Sequence, residues 1–135
     1  MKLLLDTNIC IYLIKKKPPA VLKHFDRYAT GMIGISSITV AELEFGVHKS
    51  RYPSQNQEAL EKFLLPLVIL NFDQEAARTY GKLRAALEAR GRVIGALDML
   101  IAAHALSQNL PLATNNVREF SRVPGLKVLN WAATR

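Results

Sequence analysis

At 135 residues the chain is the length of one ordinary domain, with 50% of its residues apolar and 21% charged, which excludes a disordered or fibrous protein. A net charge of +7, from 18 Lys and Arg against 11 Asp and Glu, suits a polyanionic partner, because phosphates attract such a surface at long range. The longest apolar runs, such as Leu64 to Leu70, are too short to cross a bilayer, and Asp6 and Asn8 interrupt the N-terminal leucines too soon for a signal peptide. The expectation is a cytoplasmic protein, made without export and without a membrane partner, forming a single domain over residues 1–135.

In chain order, Leu3-Leu4-Leu5 reads as a buried strand that ends abruptly in Asp6-Thr7-Asn8. An amphipathic helix follows over Ile9 to Ile14, closed by Lys15-Lys16-Lys17 and Pro18-Pro19. Cys10 lies on its apolar face; a lone cysteine can form neither an internal disulfide nor a zinc site, so it reads as a small buried hydrophobe. Val21, Leu22, Phe25, Tyr28 and Ala29 recur at helical spacing until Gly31. Met32 to Ile35 forms a second strand, and Ser36-Ser37 opens a helix through about Lys49. Ser54 to Gln57 has the form of a capping box and starts a helix that Pro66 ends. Leu67 to Leu70 is a third strand. Asp73 caps a helix with Ala76, Ala77, Tyr80, Leu83 and Leu87 on its apolar face and Gly91 just past its end. An alanine-rich helix over Leu97 to Leu106, a strand at Leu110 to Thr114, a helical turn at Val117 to Ser121 and a last strand at Lys127 to Leu129 complete the chain. Strands alternating with helices imply a parallel sheet covered on both faces, and therefore an α/β fold.

Four acids fall where such a sheet brings chain segments together. Asp6 ends the first strand, Glu42 lies one turn into the helix after the second, Asp98 opens the alanine-rich helix, and Glu119 follows the fourth strand. Each has a plain structural role available: Asp6 and Asp98 as helix caps, Glu42 as the partner of Thr39 in a capping box, and Glu119 as a solvated neighbour of Arg118 and Arg122. Together they are harder to reduce to that. Two carboxylates about 4 Å apart repel by roughly 4 kcal/mol at an effective dielectric of 20, so several at one rim call for protons or a cation. Oxygen-only ligands suit Mg²⁺ or Mn²⁺, and such a site can activate water against a phosphodiester. His24, His48 and His104 show no metal or triad pattern, and the seven glycines form no phosphate loop. Arg90, Arg92, Arg118 and Arg122 flank Asp98 and Glu119 in sequence and are the candidates for RNA phosphate contacts.

Leu4-Leu5-Asp6-Thr7-Asn8, the run Ile35 to Leu43, Ile94-Gly95 with Asp98 to Ala105, and Thr114 to Phe120 resemble the PIN-domain family, and most closely the VapC toxins of bacterial VapBC toxin–antitoxin systems. The likeness runs in order through essentially the whole chain, to Leu129-Asn130-Trp131. It implies a three-layer α/β/α fold around a central parallel sheet of four to five strands. It also implies an endoribonuclease dependent on Mg²⁺, with Mn²⁺ as an alternative, whose metal-binding and catalytic acids are Asp6, Glu42, Asp98 and Glu119. Many PIN domains carry an aspartate near the place of Asn116, whereas VapC proteins similar to this one carry the acid at Glu119; Thr7, Asn8, Thr114 and Asn116 are then polar support. The resemblance further implies a homodimer inhibited by a VapB-like antitoxin, whose C-terminal segment lies across the active-site groove and through which the hetero-oligomer binds operator DNA. Relatives most like this sequence cut initiator tRNA, and others ribosomal RNA.

Two rival readings make distinct demands. A phosphatase of the haloacid dehalogenase type also places an Asp at the end of strand one but needs a second Asp two residues on, where this chain has Asn8. A non-catalytic nucleic-acid-binding module is compatible with the charge, yet the chain has neither an aromatic-rich strand of RRM type nor zinc-finger spacing.

Overall fold

A computed structural model describes residues 1–132. Among them are five strands, β1 (Leu3–Leu5), β2 (Ile33–Ser36), β3 (Val68–Leu70), β4 (Leu112–Thr114) and β5 (Val128–Asn130). Seven helices join them: α1 (Thr7–Lys15), α2 (Pro19–Asp26), α3 (Ser37–Lys49), α4 (Pro53–Leu64), α5 (Gln74–Ala89), α6 (Ala96–Ser107) and α7 (Val117–Phe120). All strand pairs are parallel, in the order β3-β2-β1-β4-β5, so the sheet has the five strands at the upper end of the expectation.

The leucines of β1 explain its central place. All three are fully buried, and alternation sends Leu3 and Leu5 to one face and Leu4 to the other. Ile9, Cys10, Leu13, Val21, Leu43, Val47 and Leu60, from α1 to α4, build the first core with Leu3 and Leu5. Leu83, Leu87, Met99, Ile101, Ala102, Ala105 and Phe120, from α5 to α7, build the second with Leu4. Helices on both faces make three layers, and α6 packs closely against α5. Among the described residues no helix is long and apolar enough to cross a membrane.

From β1 the chain winds outward through β2 to β3, then returns over α5 and α6 to pair β4 on the opposite side of β1. The crevice outside the carboxyl ends of β1 and β4 is therefore the point where the winding reverses, the usual ligand position in an open parallel sheet.

Some local expectations are corrected. The helix expected from a capping box at Ser54 instead opens on Pro53, with Tyr52 before it and no side-chain cap, because proline already supplies the helical φ and lacks the N–H that would need a partner. The helix after Pro18-Pro19 ends at Asp26, short of Ala29, and Gly31 then takes a φ of 86° in the turn into β2.

Candidate active site

Asp6 stands where β1 becomes α1. Its Oδ1 accepts the Ile9 N–H at 2.8 Å, so it is the helix cap that its position allows. Its Oδ2 accepts the hydroxyl of Thr114, the last residue of β4. The Asn116 N–H in turn donates to Thr114 Oγ1 at 2.9 Å, and Asn115 Nδ2 donates to Tyr12 Oη at 2.8 Å, which fastens the β4–α7 connection to α1. The carboxylate is only 3% exposed. Burial raises its pKa to about 6, against the bonds from Thr114 and Ile9, and the charge of Glu42 adds to the rise. A cap alone has no need of a buried carboxylate that also takes a bond from β4.

Glu42 lies on α3, whose N-cap is Ser36, with Oγ accepting the Ile38 N–H at 3.1 Å. The capping-box reading of Thr39 and Glu42 is thereby corrected: Thr39 is buried inside the helix, and Glu42 is turned across to α1. The Thr7 hydroxyl donates to Glu42 Oε1 at 2.7 Å, with Thr39 Oγ1 3.3 Å away.

Asp98 is not the cap of its helix either. Gly95 takes that position, and Asp98 falls in the first turn of α6. The Gly95 N–H, left unsatisfied by the helix, donates to Glu119 Oε1 at 2.7 Å, while Asn116 Nδ2 donates to Glu119 Oε2 at 2.6 Å. A side chain at Gly95 would place its Cβ 3.5 Å from both Asp98 Oδ2 and Glu119 Oε1, so the two acids meet over this glycine. The Asp98 pKa is raised to about 7 by burial, by the charge and hydrogen bond of Glu119, and by the charges of Asp6 and Glu42. For Glu119 burial pulls upward, but the bonds from Gly95, Asn116 and Asp98 and the charge of Arg122 outweigh it and hold its carboxyl below the ordinary value. Of the two, Asp98 therefore takes up a proton more readily than Glu119.

All four acids therefore converge on the rim outside β1 and β4. Among the described residues, no three of the acidic, histidine or cysteine side chains close around one point as a finished metal cage. The donor set nevertheless fits a hard divalent cation: every candidate ligand is a carboxylate oxygen, and burial, with the neighbouring carboxylates adding to it, holds Asp6 and Asp98 above the ordinary carboxylate range.

The polar and basic residues divide. Thr7, Thr114 and Asn116 each hold an acid directly, whereas Asn8 is exposed on the first turn of α1. Arg122 is half-buried, donates to the Val93 carbonyl at 3.2 Å and acts on Glu119 through its charge. Arg90, Arg92 and Arg118 are exposed on α7 and on the α5–α6 connection, which border the acids. Sequence reasoning missed the Gly95 amide, although the glycine before an acid-bearing helix was a usable signal; Ser36 opens α3 as its position in the sequence indicates. From Glu42 an apolar groove of about 420 Å³ leads away between α1, α3 and α4, lined by Ile11, Ile14, Leu43, Gly46, Val47 and Leu60, with Lys15 also on its wall.

The family model of the PIN domain matches residues 3–126. Ribonuclease VapC2 of Rickettsia felis is 46% identical over 129 residues, 95% of this chain and 96% of that protein. The tRNA(fMet)-specific endonuclease VapC of Shigella flexneri is 43% identical, over 98% of this chain and 99% of its own length. Among solved structures, VapBC2 from Rickettsia felis bound to a DNA fragment from its promoter matches with a TM-score of 0.91 at 44% identity, covering 97% of this chain and 99% of that one. With this sheet, this acidic rim and these full-length likenesses, the chain belongs to the PIN-domain family, among its VapC ribonucleases.

Proposed function

We propose that this chain, folded as one domain, is the toxin of a toxin–antitoxin pair, a cytoplasmic Mg²⁺-dependent endoribonuclease that hydrolyses phosphodiester bonds in RNA. The observation that carries the reading is the convergence of Asp6, Glu42, Asp98 and Glu119 at the switch point of the sheet, each held in place by a neighbouring hydroxyl, amide or carboxyl group. Asp6, Glu42, Asp98 and Glu119 would hold the cation, with Mn²⁺ as an alternative to Mg²⁺. When bound, the cation supplies charge neutralisation at the phosphate and activation of water. The chain's own residues prepare that site. Ile9 N–H and Thr114 hold the Asp6 carboxylate at the floor of the crevice, and Thr7 turns Glu42 toward it. Gly95 and Asn116 fix both oxygens of Glu119, and the proton on Asp98 leaves when positive charge replaces it. Arg90, Arg92, Arg118 and Arg122 supply positive charge for the RNA backbone on either side.

Initiator tRNA is the substrate favoured by the 43% identity to a tRNA(fMet)-specific endonuclease. A VapB-like antitoxin is the partner favoured by the likeness to VapBC2, and the apolar groove ending at Glu42 offers its C-terminal segment a seat that also blocks the acids. A homodimer and a hetero-oligomer that reaches operator DNA through the antitoxin complete the proposal.

The test is cleavage of initiator tRNA and of total tRNA by antitoxin-free protein, in Mg²⁺, Mn²⁺ and EDTA, beside Asp98→Asn. Metal-dependent cuts absent from the variant are expected. Equal cutting by the variant, or RNA binding without any cutting, would overturn the nuclease reading.

A further inference from the structure

His104 is fully buried in α6, the helix that begins with Asp98, yet it touches none of the acids. Its Nδ1 lies 2.7 Å from Ser36 Oγ, 68 residues away in sequence. Ser36 is at once the end of β2 and the N-cap of α3, the helix that carries Glu42. Ser36 Oγ also accepts the Ile38 N–H at 3.1 Å, so this one hydroxyl joins the start of α3 to the imidazole. The ring is fixed edge-on against Phe72, with centroids 5.4 Å apart, and Ser37 Oγ accepts the Phe72 N–H at 3.0 Å. The Asn71 backbone faces Nε2 too loosely for a hydrogen bond of good geometry. One buried polar bond therefore spans the two helices that deliver Asp98 and Glu42; on α6 the residues beside His104, Ala103 and Ala105, are buried and apolar, Ser107 donates to the His104 carbonyl, and the charge of Asp73 reaches the ring.

We propose that His104 is a positioning residue: through Ser36 it sets the start of α3 against α6 and so fixes Glu42 relative to Asp98 for cation binding. This rests on the nuclease reading of the rim. A filler of the core would need only volume; this role needs the nitrogen at Nδ1.

Two variants separate the alternatives. His104→Phe keeps the ring against Phe72 and removes the nitrogen. His104→Asn loses ring volume but offers a hydrogen-bonding atom near the place of Nδ1. Melting temperature, Mn²⁺ affinity by calorimetry, and kcat and KM on tRNA are measured for both, with Asp98→Asn as the control that tests the nuclease reading independently. His104→Phe is expected to weaken Mn²⁺ binding and lower kcat by roughly tenfold with KM unchanged, the scale of outer-shell changes around metal ligands. His104→Asn is expected to melt lower than His104→Phe and yet to bind Mn²⁺ and cleave better. Activity and Mn²⁺ affinity that simply follow melting temperature would reduce His104 to a core residue. Should neither variant fold, Ser36→Ala carries the test: unchanged Mn²⁺ affinity there would equally overturn the proposal.

Discussion

Asp6 is the residue whose two duties conflict. As a cap it stabilises α1, but as a buried charge it costs folding energy. With its pKa raised to about 6 in the fold, the folded state binds the proton more tightly than the unfolded chain does. Its contribution is therefore fully favourable below about pH 4 and is lost as pH rises through about 6; Asp98, raised to about 7, extends the same trend. For metal-free protein at pH 8, Asp6→Asn should gain up to about 3 kcal/mol while abolishing cleavage, because each tenfold tightening of the proton in the fold corresponds to about 1.4 kcal/mol. Denaturant melts of both proteins in EDTA at pH 5 and pH 8 check it: the gap should open as pH rises. A gap independent of pH would mean that Asp6 is not held at this cost.

Between residues and fold, what the sequence made legible was periodicity. The three leucines of β1 and the alternation of strand and helix are patterns of burial, and the chain follows them; on the expected apolar face of α5, Ala76, Leu83 and Leu87 are buried and Tyr80 partly so, but Ala77 is exposed. Asp73 was readable too, because an acid three residues before Ala76 can take only one orphan N–H; it accepts that N–H at 3.0 Å. α5 carries none of the acids, so Asp73→Ala should cost about 1 kcal/mol of stability and leave the cleavage rate unchanged below the melting transition. A fall in cleavage by the fully folded variant would tie α5 to the site. The roles of Thr39, Glu42 and Asp98 were not legible locally. A capping box and a rim carboxylate share the same spacing, and only the arrival of Thr7 or Glu119 from distant segments decides between them. His104 was illegible for the same reason, since its partner Ser36 is a neighbour only in space.

Across the whole molecule, four of the 11 acids are gathered at one rim, so the rest of the surface is more basic than the net charge of +7 conveys. RNA held there should respond steeply to salt, and Arg118→Ala should lower the slope of log affinity against log salt by about one while weakening different RNAs alike. Binding of Asp98→Asn protein and of the double variant, titrated over a salt series, measures this without turnover; an unchanged slope would remove Arg118 from the interface. The strand order has one more consequence, for synthesis. β1 leaves the ribosome first, but its second neighbour, β4, comes more than a hundred residues later, and Glu119 later still. Only after nearly all of this sequence has been translated can the four acids meet, so the rim is among the last features of the fold to assemble.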